Sequence, residues 1–275
     1  MIISYSYPIL HLQLTTMSTD REVVISLKNV NKTFRIRDKG ATIRERVFKI
    51  LKPSQRQEIQ ALQDINLDIY KGEFFGIVGH NGSGKSTLLR IMSGTYPPDP
   101  GGTATIKGRY MRLTLGLGFD KELTTHENIY LNGSILGLSM RVIGEKYHEI
   151  IDFAELQGYE HTKVKYFSTG MLSRLKFAIA VQADADIFLM DEFFGGVGDI
   201  RFKERSEQVF KESILQGRTI VHVSHSLQTM KKYCDRMLAL DKGQILALGT
   251  PDEVLPIYRN YIKEKRARNV GGVKR

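Results

Sequence analysis

The sequence predicts an α/β fold in which helices cover a mostly parallel sheet, and two observations carry that prediction. The first is the segment Gly79–Thr87, which reads G-H-N-G-S-G-K-S-T and follows the apolar run Phe74–Val78. A buried strand, a loop with the G-x-x-x-x-G-K-[ST] spacing and a helix together form a phosphate loop. The second is the alternation of strand-like and helix-like segments from Asp186 onward, which favours parallel strands joined by helices.

The individual elements follow from periodicity. The segments Val23–Leu27 and Ile65–Ile69 are predicted to be strands ahead of the phosphate loop. Between them, the basic and polar residues 39–60 carry apolar positions at helical spacing and predict a short amphipathic helix that ends near Pro53. That helix is either plain surface or a contact element for a partner. Residues 123–182 are helix-like, and the later segments alternate as strands 187–190, 219–223, 237–240 and 244–247 with helices 202–215 and 227–233.

Composition limits the class of protein. Hydrophobic residues make up 41% and charged residues 25% of the 275 positions, the usual balance of a globular protein. No apolar run approaches the ~20 residues of a membrane helix. The single cysteine, Cys234, excludes an intrachain disulfide and fits a reducing compartment. The formal net charge of +10 favours an acidic partner, which could be a nucleotide, a nucleic acid or an anionic membrane surface.

We predict three parts along the chain. Residues 1–18 are interpreted as a non-native or disordered lead-in, because Met17 opens the polar start M-S-T-D-R-E. Residues 19–262 are predicted to form the nucleotide-binding domain, with a helical subdomain at about 115–182. Residues 263–275 are rich in lysine and arginine and are predicted to be a basic tail, since such charge runs are usually solvated ends.

The phosphate loop determines the expected ligand. Glycines at its first, fourth and sixth positions let the backbone fold around an anion with N–H groups pointing inward, and the helix dipole adds to the attraction. Lys85 supplies a charge for the β- and γ-phosphates, and Ser86 supplies a hydroxyl to Mg²⁺. A chance match is disfavoured by the strand before the loop and the apolar helix positions after it. The predicted ligand contacts are Gly79, His80, Asn81, Gly82, Ser83, Gly84, Lys85, Ser86 and Thr87.

Two later strands end in polar residues suited to the same chemistry. Asp191 and Glu192 follow the apolar strand that ends at Met190, at the edge where α/β sheets bind ligands. We expect Asp191 to hold Mg²⁺ and Glu192 to polarise the water that attacks the γ-phosphorus. His225 closes the next strand and could donate to the γ-phosphate or orient that water, whereas His222 is predicted to be a packed strand residue.

A further segment, Ser168–Met171, lies just ahead of the carboxylate strand and begins a helical run. Ser168 and Thr169 are good helix N-caps, and the helix dipole faces an anion placed there. The order of phosphate loop, this segment, the strand ending at Asp191, then Asp199 and His225 resembles the ATP-binding cassette (ABC) ATPases, over roughly residues 23–261. That resemblance implies the ABC ATPase fold, a P-loop NTPase core with an antiparallel β subdomain and a helical subdomain. It also implies ATP and Mg²⁺ as cofactors.

The resemblance also implies a dimer with two ATP molecules bound between the subunits. Ser168, Thr169, Gly170 and Met171 of one subunit would cap the γ-phosphate held by Lys85 of the other. Phe167–Met171 keeps the serine and the second glycine of the family's L-S-G-G-Q signature and departs from it at the other three positions. Asp199 would match the family's interface aspartate. Phe34 would match the aromatic residue that stacks on adenine, and a core-packing role for Phe34 remains the alternative.

One departure from the family is specific. The glutamine that normally lies between the phosphate loop and the helical subdomain is missing, since residues 95–123 contain no Gln. The stretch L-G-L-G-F at 115–119, ahead of L-T-T-H-E-N at 123–128, is instead similar to the ATPases that export cell-surface polysaccharides such as O-antigen, capsule or teichoic acid. The segment Ala41–Leu62 also resembles an insert of that branch.

The leading expectation is therefore an ATPase subunit that drives polysaccharide export through a separate membrane permease. It would act as a homodimer on the cytoplasmic face of the inner membrane, bound peripherally, with no nucleic acid expected as a partner. Two alternatives remain open at this point. One is an exporter of another substrate, whose ATPase core would look the same. The other is a non-transport ABC protein that acts on nucleic acid, which the basic charge balance permits.

Overall fold

The computed structural model describes residues 21–36, 57–113, 118–191, 200–213 and 217–271. Several predictions concern positions outside these residues: the lead-in at 1–18, the amphipathic helix that would end near Pro53, Glu192 and Asp199. The described strands are β1 (Val23–Ile36), β2 (Gln57–Tyr70), β3 (Phe74–Gly79), β4 (Thr103–Ile106), β5 (Tyr110–Leu113), β6 (Ile187–Asp191), β7 (Thr219–Val223), β8 (Arg236–Asp241) and β9 (Gln244–Gly249). The described helices are α1 (Lys85–Met92), α2 (Thr125–Ile135), α3 (Met140–Ala154), α4 (Thr169–Ala180), α5 (Ile200–Ser213), α6 (Leu227–Tyr233) and α7 (Pro251–Gly271), with a 3₁₀ turn at Val164–Tyr166.

The central sheet has six strands in the order β5-β6-β7-β3-β8-β9. The first five are mutually parallel, and β9 pairs antiparallel to β8 as the predicted hairpin. Every residue of β3 and β7 is buried, as expected for strands covered on both faces. The carboxyl ends of β3, β6, β7 and β8 therefore meet at one edge, which brings Gly79, Asp191 and Asp241 to the same side of the sheet.

A second, antiparallel sheet has the order β2-β1-β4, which confirms the predicted antiparallel β subdomain. The strand β2 begins at Gln57, so residues 57–62 are strand and not the end of a polar insert reaching Leu62. The reason is pairing: Ile59 lies opposite Phe34 and Gln60 lies opposite Thr33 on β1. Polar edge positions of this kind take the strand conformation from their partner, not from their own propensity.

Successive residues of the central strands point to opposite faces, and two apolar cores result. Phe74 and Val78 belong to the core that the central sheet shares with the helices. Phe75 and Ile77 belong to the core between this sheet, the three-stranded sheet and α1. The phosphate loop that follows β3 is thus anchored by a strand packed on both sides.

The helical region at 125–180 contains α2, α3 and α4, packed against one another as the sequence predicted. Its entry is fixed by a capping box, in which Thr124 accepts from the Glu127 backbone N–H and the Glu127 carboxylate accepts from the Thr124 N–H. The last helix, α7, continues to Gly271 and therefore crosses the predicted boundary between domain and tail at residue 263. Over the described part of the chain, no helix has both the length and the apolar character that a membrane span needs.

Candidate active site

The phosphate loop lies between β3 and α1, as the spacing predicted. Gly84 precedes the helix with φ +108°, a conformation that residues with a Cβ rarely adopt. A Cβ at this position would lie 2.6 Å from the Ala61 carbonyl oxygen, and one on Gly79 would lie 2.5 Å from the Leu240 carbonyl oxygen. Both glycines are therefore needed because neighbouring backbone from β2 and β8 closes in on the loop.

Lys85 is the first residue of α1 and is buried, with 7% of its surface exposed. Its Nζ donates to the carbonyl oxygens of Gly79 at 2.8 Å and His80 at 3.0 Å. These bonds draw the ammonium group over the start of the loop, where a phosphate enclosed by the backbone amides would meet it. The loop and its lysine thus form one assembly within a single chain.

Ser86 and Asp191 are brought together at the edge of the sheet, with Ser86 Oγ donating to Asp191 Oδ2 at 3.4 Å. A hydroxyl and a carboxylate are hard oxygen donors, and Mg²⁺ in phosphate sites takes one or two protein oxygens and completes its shell with phosphates and water. This pair therefore fits the predicted magnesium ligands.

Arg112 lies beside the same carboxylate, with Nη2 4.0 Å from Asp191 Oδ2. It is on β5, where it pairs with Leu189 of β6, two residues before Asp191. Its Nε is buried and makes no hydrogen bond to the described residues. Sequence reasoning had no signal for this residue, because the contact depends on which strands pair.

His225 lies two residues beyond the end of β7, next to β3 in the sheet, and its side chain is exposed. With Gly79, His80 and Ser224 it lines an open cavity of about 420 Å³ whose other wall is formed by α7. His222, in contrast, is fully buried, and its ring meets Phe74 edge to face at 6.1 Å between centroids. Burial lowers the pKa of His222 to about 4, so the predicted packing role holds and the ring is neutral.

The Ser168–Met171 segment starts α4, and Ser168 is its N-cap. The Ser168 Oγ accepts from the Met171 N–H at 3.2 Å, while Ser168 and Thr169 are exposed. Gly170 is open, since the nearest atom to a Cβ there would be Ser168 Oγ at 3.8 Å. The cap bond stays inside the helix, and the segment presents its first turn to the surface.

Phe34 is half-buried on β1, outside both apolar cores. Its ring packs edge to face on Tyr96 at 5.5 Å, and Lys32 Nζ lies 5.7 Å from its centroid. These contacts hold the half-buried ring against the three-stranded sheet. Glu192 and Asp199 lie outside the described residues and remain sequence-based predictions.

Sequence reasoning missed a polar cluster that touches the phosphate loop. His80 lies against Asp241 at the end of β8, and Asp241 also accepts hydrogen bonds from Tyr261 and Lys265 of α7. A signal existed, because Asp241 follows an apolar strand as Asp191 does. No sequence signal pointed to α7, because Tyr261 and Lys265 lie far from the loop in sequence.

Comparisons with known proteins agree with this geometry. Residues 62–195 match the family described as "ABC transporter". The O-antigen export system ATP-binding protein RfbB of Myxococcus xanthus is 39% identical over 253 residues, which span 89% of this chain and 57% of that protein. The teichoic acids export ATP-binding protein TagH of Listeria monocytogenes is 36% identical over 243 residues, 88% of this chain and 72% of that protein.

Among solved structures, the dimeric structure of a bacterial ABC transporter cassette superposes with a TM-score of 0.62 at 25% identity. The match covers 82% of this chain and 98% of that one. The described fold, with a parallel sheet, an antiparallel sheet and a helical region, is therefore that of an ABC ATPase cassette.

Proposed function

The chain belongs to the ABC transporter family, and we propose that it is the ATP-hydrolysing subunit of an exporter of cell-surface polysaccharide. Membership of the family makes it an ATPase, and we propose that its nucleotide site is at the phosphate loop. The polysaccharide substrate is proposed because RfbB and TagH, which share more than a third of their aligned residues with this chain, are named for the export of O-antigen and teichoic acids.

The observation that carries the proposal is the assembly of Gly79, Gly84, Lys85, Ser86 and Asp191 at one edge of the central sheet. Loop amides and the α1 dipole attract the phosphates, and Lys85 neutralises part of their charge. We propose that Ser86 and Asp191 hold Mg²⁺, which when bound offsets the charge on the β- and γ-phosphate oxygens. The same phosphate loop contains the remaining predicted ligand contacts: His80, Asn81, Gly82, Ser83 and Thr87.

Hydrolysis needs a positioned water and a completed pocket. We propose that Glu192, the residue after Asp191, polarises this water. We propose that His225, whose ring lines the cavity beside Gly79, contacts the γ-phosphate. Ser168 and Gly170 of a second copy would close the pocket, in line with the exposure of Ser168 and the open space beside Gly170 in the single chain. The closed site would then require a homodimer, with Asp199 at its interface and Phe34 against adenine.

The proposed assembly places the dimer on integral-membrane permease subunits at the cytoplasmic face of the inner membrane. Closure on ATP and reopening after hydrolysis would be passed to the permease, which moves the polysaccharide. The related proteins named for export favour this arrangement over the two alternatives of another substrate or a nucleic-acid partner.

The ATPase part of the proposal is tested by Glu192→Gln, which keeps size and hydrogen bonding but removes the base. We expect hydrolysis to fall by at least about 100-fold while the protein still binds ATP. Glu204→Gln changes an exposed glutamate of α5 and is the matched control, with turnover unchanged. Undiminished turnover in Glu192→Gln would remove Glu192 from this role.

The export part is tested by deleting the gene in its own organism and analysing the surface polysaccharide. We expect the surface glycan to be lost and then restored by the unaltered gene but not by the Glu192→Gln form. An unchanged surface glycan would contradict polysaccharide export and leave the ATPase assignment intact. RNA binding that falls steeply with salt would instead favour the nucleic-acid alternative.

A further inference from the structure

The C-terminal helix α7 makes direct polar contacts with the phosphate loop. Lys265 Nζ lies 2.9 Å from Asp241 Oδ1 and 2.9 Å from His80 Nε2, and the Tyr261 hydroxyl donates to the other oxygen of Asp241. Asp241 is well covered, with 12% of its side chain exposed. Burial acts to raise the pKa of Asp241, but hydrogen bonds from Tyr261 and Lys265 outweigh it and lower the pKa, so the group is a carboxylate.

His80 passes this contact into the loop backbone. Its Nδ1 lies 2.6 Å from the Asn81 carbonyl oxygen. Because a carbonyl oxygen can only accept, Nδ1 is assigned the hydrogen, and Nε2 then accepts from Lys265, whose ammonium group also donates to Asp241. The C=O and N–H of a trans peptide unit point in opposite directions, so holding the Asn81 carbonyl toward His80 also fixes the direction of the Gly82 N–H. That amide is one of those the loop offers to a phosphate.

The same cluster also determines the net charge at the edge of the phosphate site. A carboxylate at Asp241, at the edge of the phosphate site, would repel a triphosphate if it were left unpaired. Lys265 compensates it, while Arg259 and Lys263 of α7 line the cavity that His80 and His225 share. Docked in this way, α7 makes the edge of the site more favourable for an anion.

We propose that α7 sets the nucleotide affinity of the phosphate loop, with Lys265 and Tyr261 as positioning residues that act through Asp241 and His80. The inference rests on the proposed function, since it concerns the same ATP site. It follows from this proposal that ATP binding weakens when a partner or another chain segment pulls α7 away from the phosphate loop. By thermodynamic reciprocity, bound ATP strengthens the docking of α7.

The first test measures the binding of a fluorescent ATP analogue with Mg²⁺ to the full chain. We expect Lys265→Ala to weaken binding by about three- to tenfold and Lys265→Arg, which keeps charge and donors, to restore most of it. Lys231→Ala is the matched control, because it breaks an exposed ion pair between α6 and Asp252 of α7 without touching the loop. Its affinity should equal that of the unaltered chain.

A double-mutant cycle identifies the route. If Lys265 acts through the histidine, Lys265→Ala adds little to the loss already caused by His80→Ala. Fully additive losses would overturn that route. Hydrogen exchange gives a readout without turnover: amides of α7 near residues 258–265 should exchange more slowly with ATP present, and this protection should disappear in Lys265→Ala.

The outcomes separate this inference from the proposed function. If the unaltered chain binds ATP and Lys265→Ala binds it equally well, or α7 gains no protection, the inference alone is overturned. If the unaltered chain binds no ATP, the proposed function is overturned and the inference with it.

Discussion

The phosphate loop and the Ser168–Met171 segment are two helix N-termini proposed to hold the same phosphate, yet they are built in opposite ways. In the phosphate loop, neighbouring backbone crowds Gly79 and Gly84, and Lys85 bonds to the loop's own carbonyls. At the start of α4, Gly170 has open space around it and the Ser168 side chain accepts from the Met171 N–H within the first turn.

This difference shows which part of the site each chain completes alone. The phosphate loop is set by contacts inside one folded chain, so changes there should cost both stability and binding. In the α4 segment Ser168 and Thr169 are exposed, so its proposed role requires another molecule to approach. Changes there should spare folding and affect only what happens in the assembled pocket.

Gly84→Ala should give the largest effect. The new Cβ would meet the Ala61 carbonyl at 2.6 Å with φ at +108°, and we expect a loss of about 2–4 kcal/mol in the free energy of unfolding. ATP binding should fall below detection, because the loop must open to relieve the clash. Chemical denaturation and nucleotide binding measure the two losses.

Gly82→Ala is the control within the same loop. Its φ is +79°, but no atom lies within 4 Å of the added Cβ, so only the backbone cost of about 1 kcal/mol applies. Equal losses for the two variants would contradict the idea that crowding by β2 fixes the loop.

The next largest effect should be that of acid on the central sheet that carries the phosphate loop. His222 lies in β7 beside β3, and its pKa of about 4 in the folded chain is below the ordinary value of 6.5. Because the folded state favours the neutral ring, its contribution is present above pH 6.5 and is lost as the pH falls toward 4. The full loss is about 3 kcal/mol.

The measurement is the free energy of unfolding against pH for the unaltered chain and for His222→Leu. The difference between the two curves should change across pH 6.5 to 4 and stay constant above it. A flat difference for His222→Leu would show that this ring does not titrate with unfolding.

The parts of the site that the sequence predicted are those encoded locally. The spacing from Gly79 to Ser86 and the apolar run before Asp191 each lie within a few residues, so the phosphate loop and the carboxylate strand were predictable. Arg112 was not, because it reaches Asp191 only through the pairing of β5 with β6. Lys265 was placed in a solvated tail for the same reason: its partner Asp241 is on another element.

The strands show the same limit. Apolar alternation found the centre of β2 at Ile65–Ile69, but its polar first half from Gln57 takes its conformation from β1. Glu192 and Asp199 follow from motif order alone and stay predictions. A single sequence does not reveal the contacts that depend on pairing between distant segments.

Gly170→Ala tests the outward-facing side of the comparison. It lies in the first turn of α4 with open space, and alanine favours helix over glycine, so stability should hold or rise slightly. ATP binding by the single chain should be unchanged, while turnover should fall by about 10- to 30-fold, because the methyl group stands where a partner's phosphate must approach. Gly144→Ala in α3 is the matched helix control, with turnover unchanged. A loss of ATP binding in the single chain would contradict the division of roles.

Arg112→Leu should give the smallest effect, and it refines the phosphate-loop side. The guanidinium lies 4.0 Å from the Asp191 oxygen that also accepts from Ser86, so it competes with Mg²⁺ for that carboxylate. Without it, half-saturation of nucleotide binding should occur at a Mg²⁺ concentration about two- to fivefold lower. Arg112→Lys keeps the charge and should retain the original dependence. The measurement is the binding of a fluorescent ATP analogue as a function of Mg²⁺ concentration. If Arg112→Leu needs the same or a higher Mg²⁺ concentration for half-saturation, then Arg112 supports the carboxylate and does not compete for it.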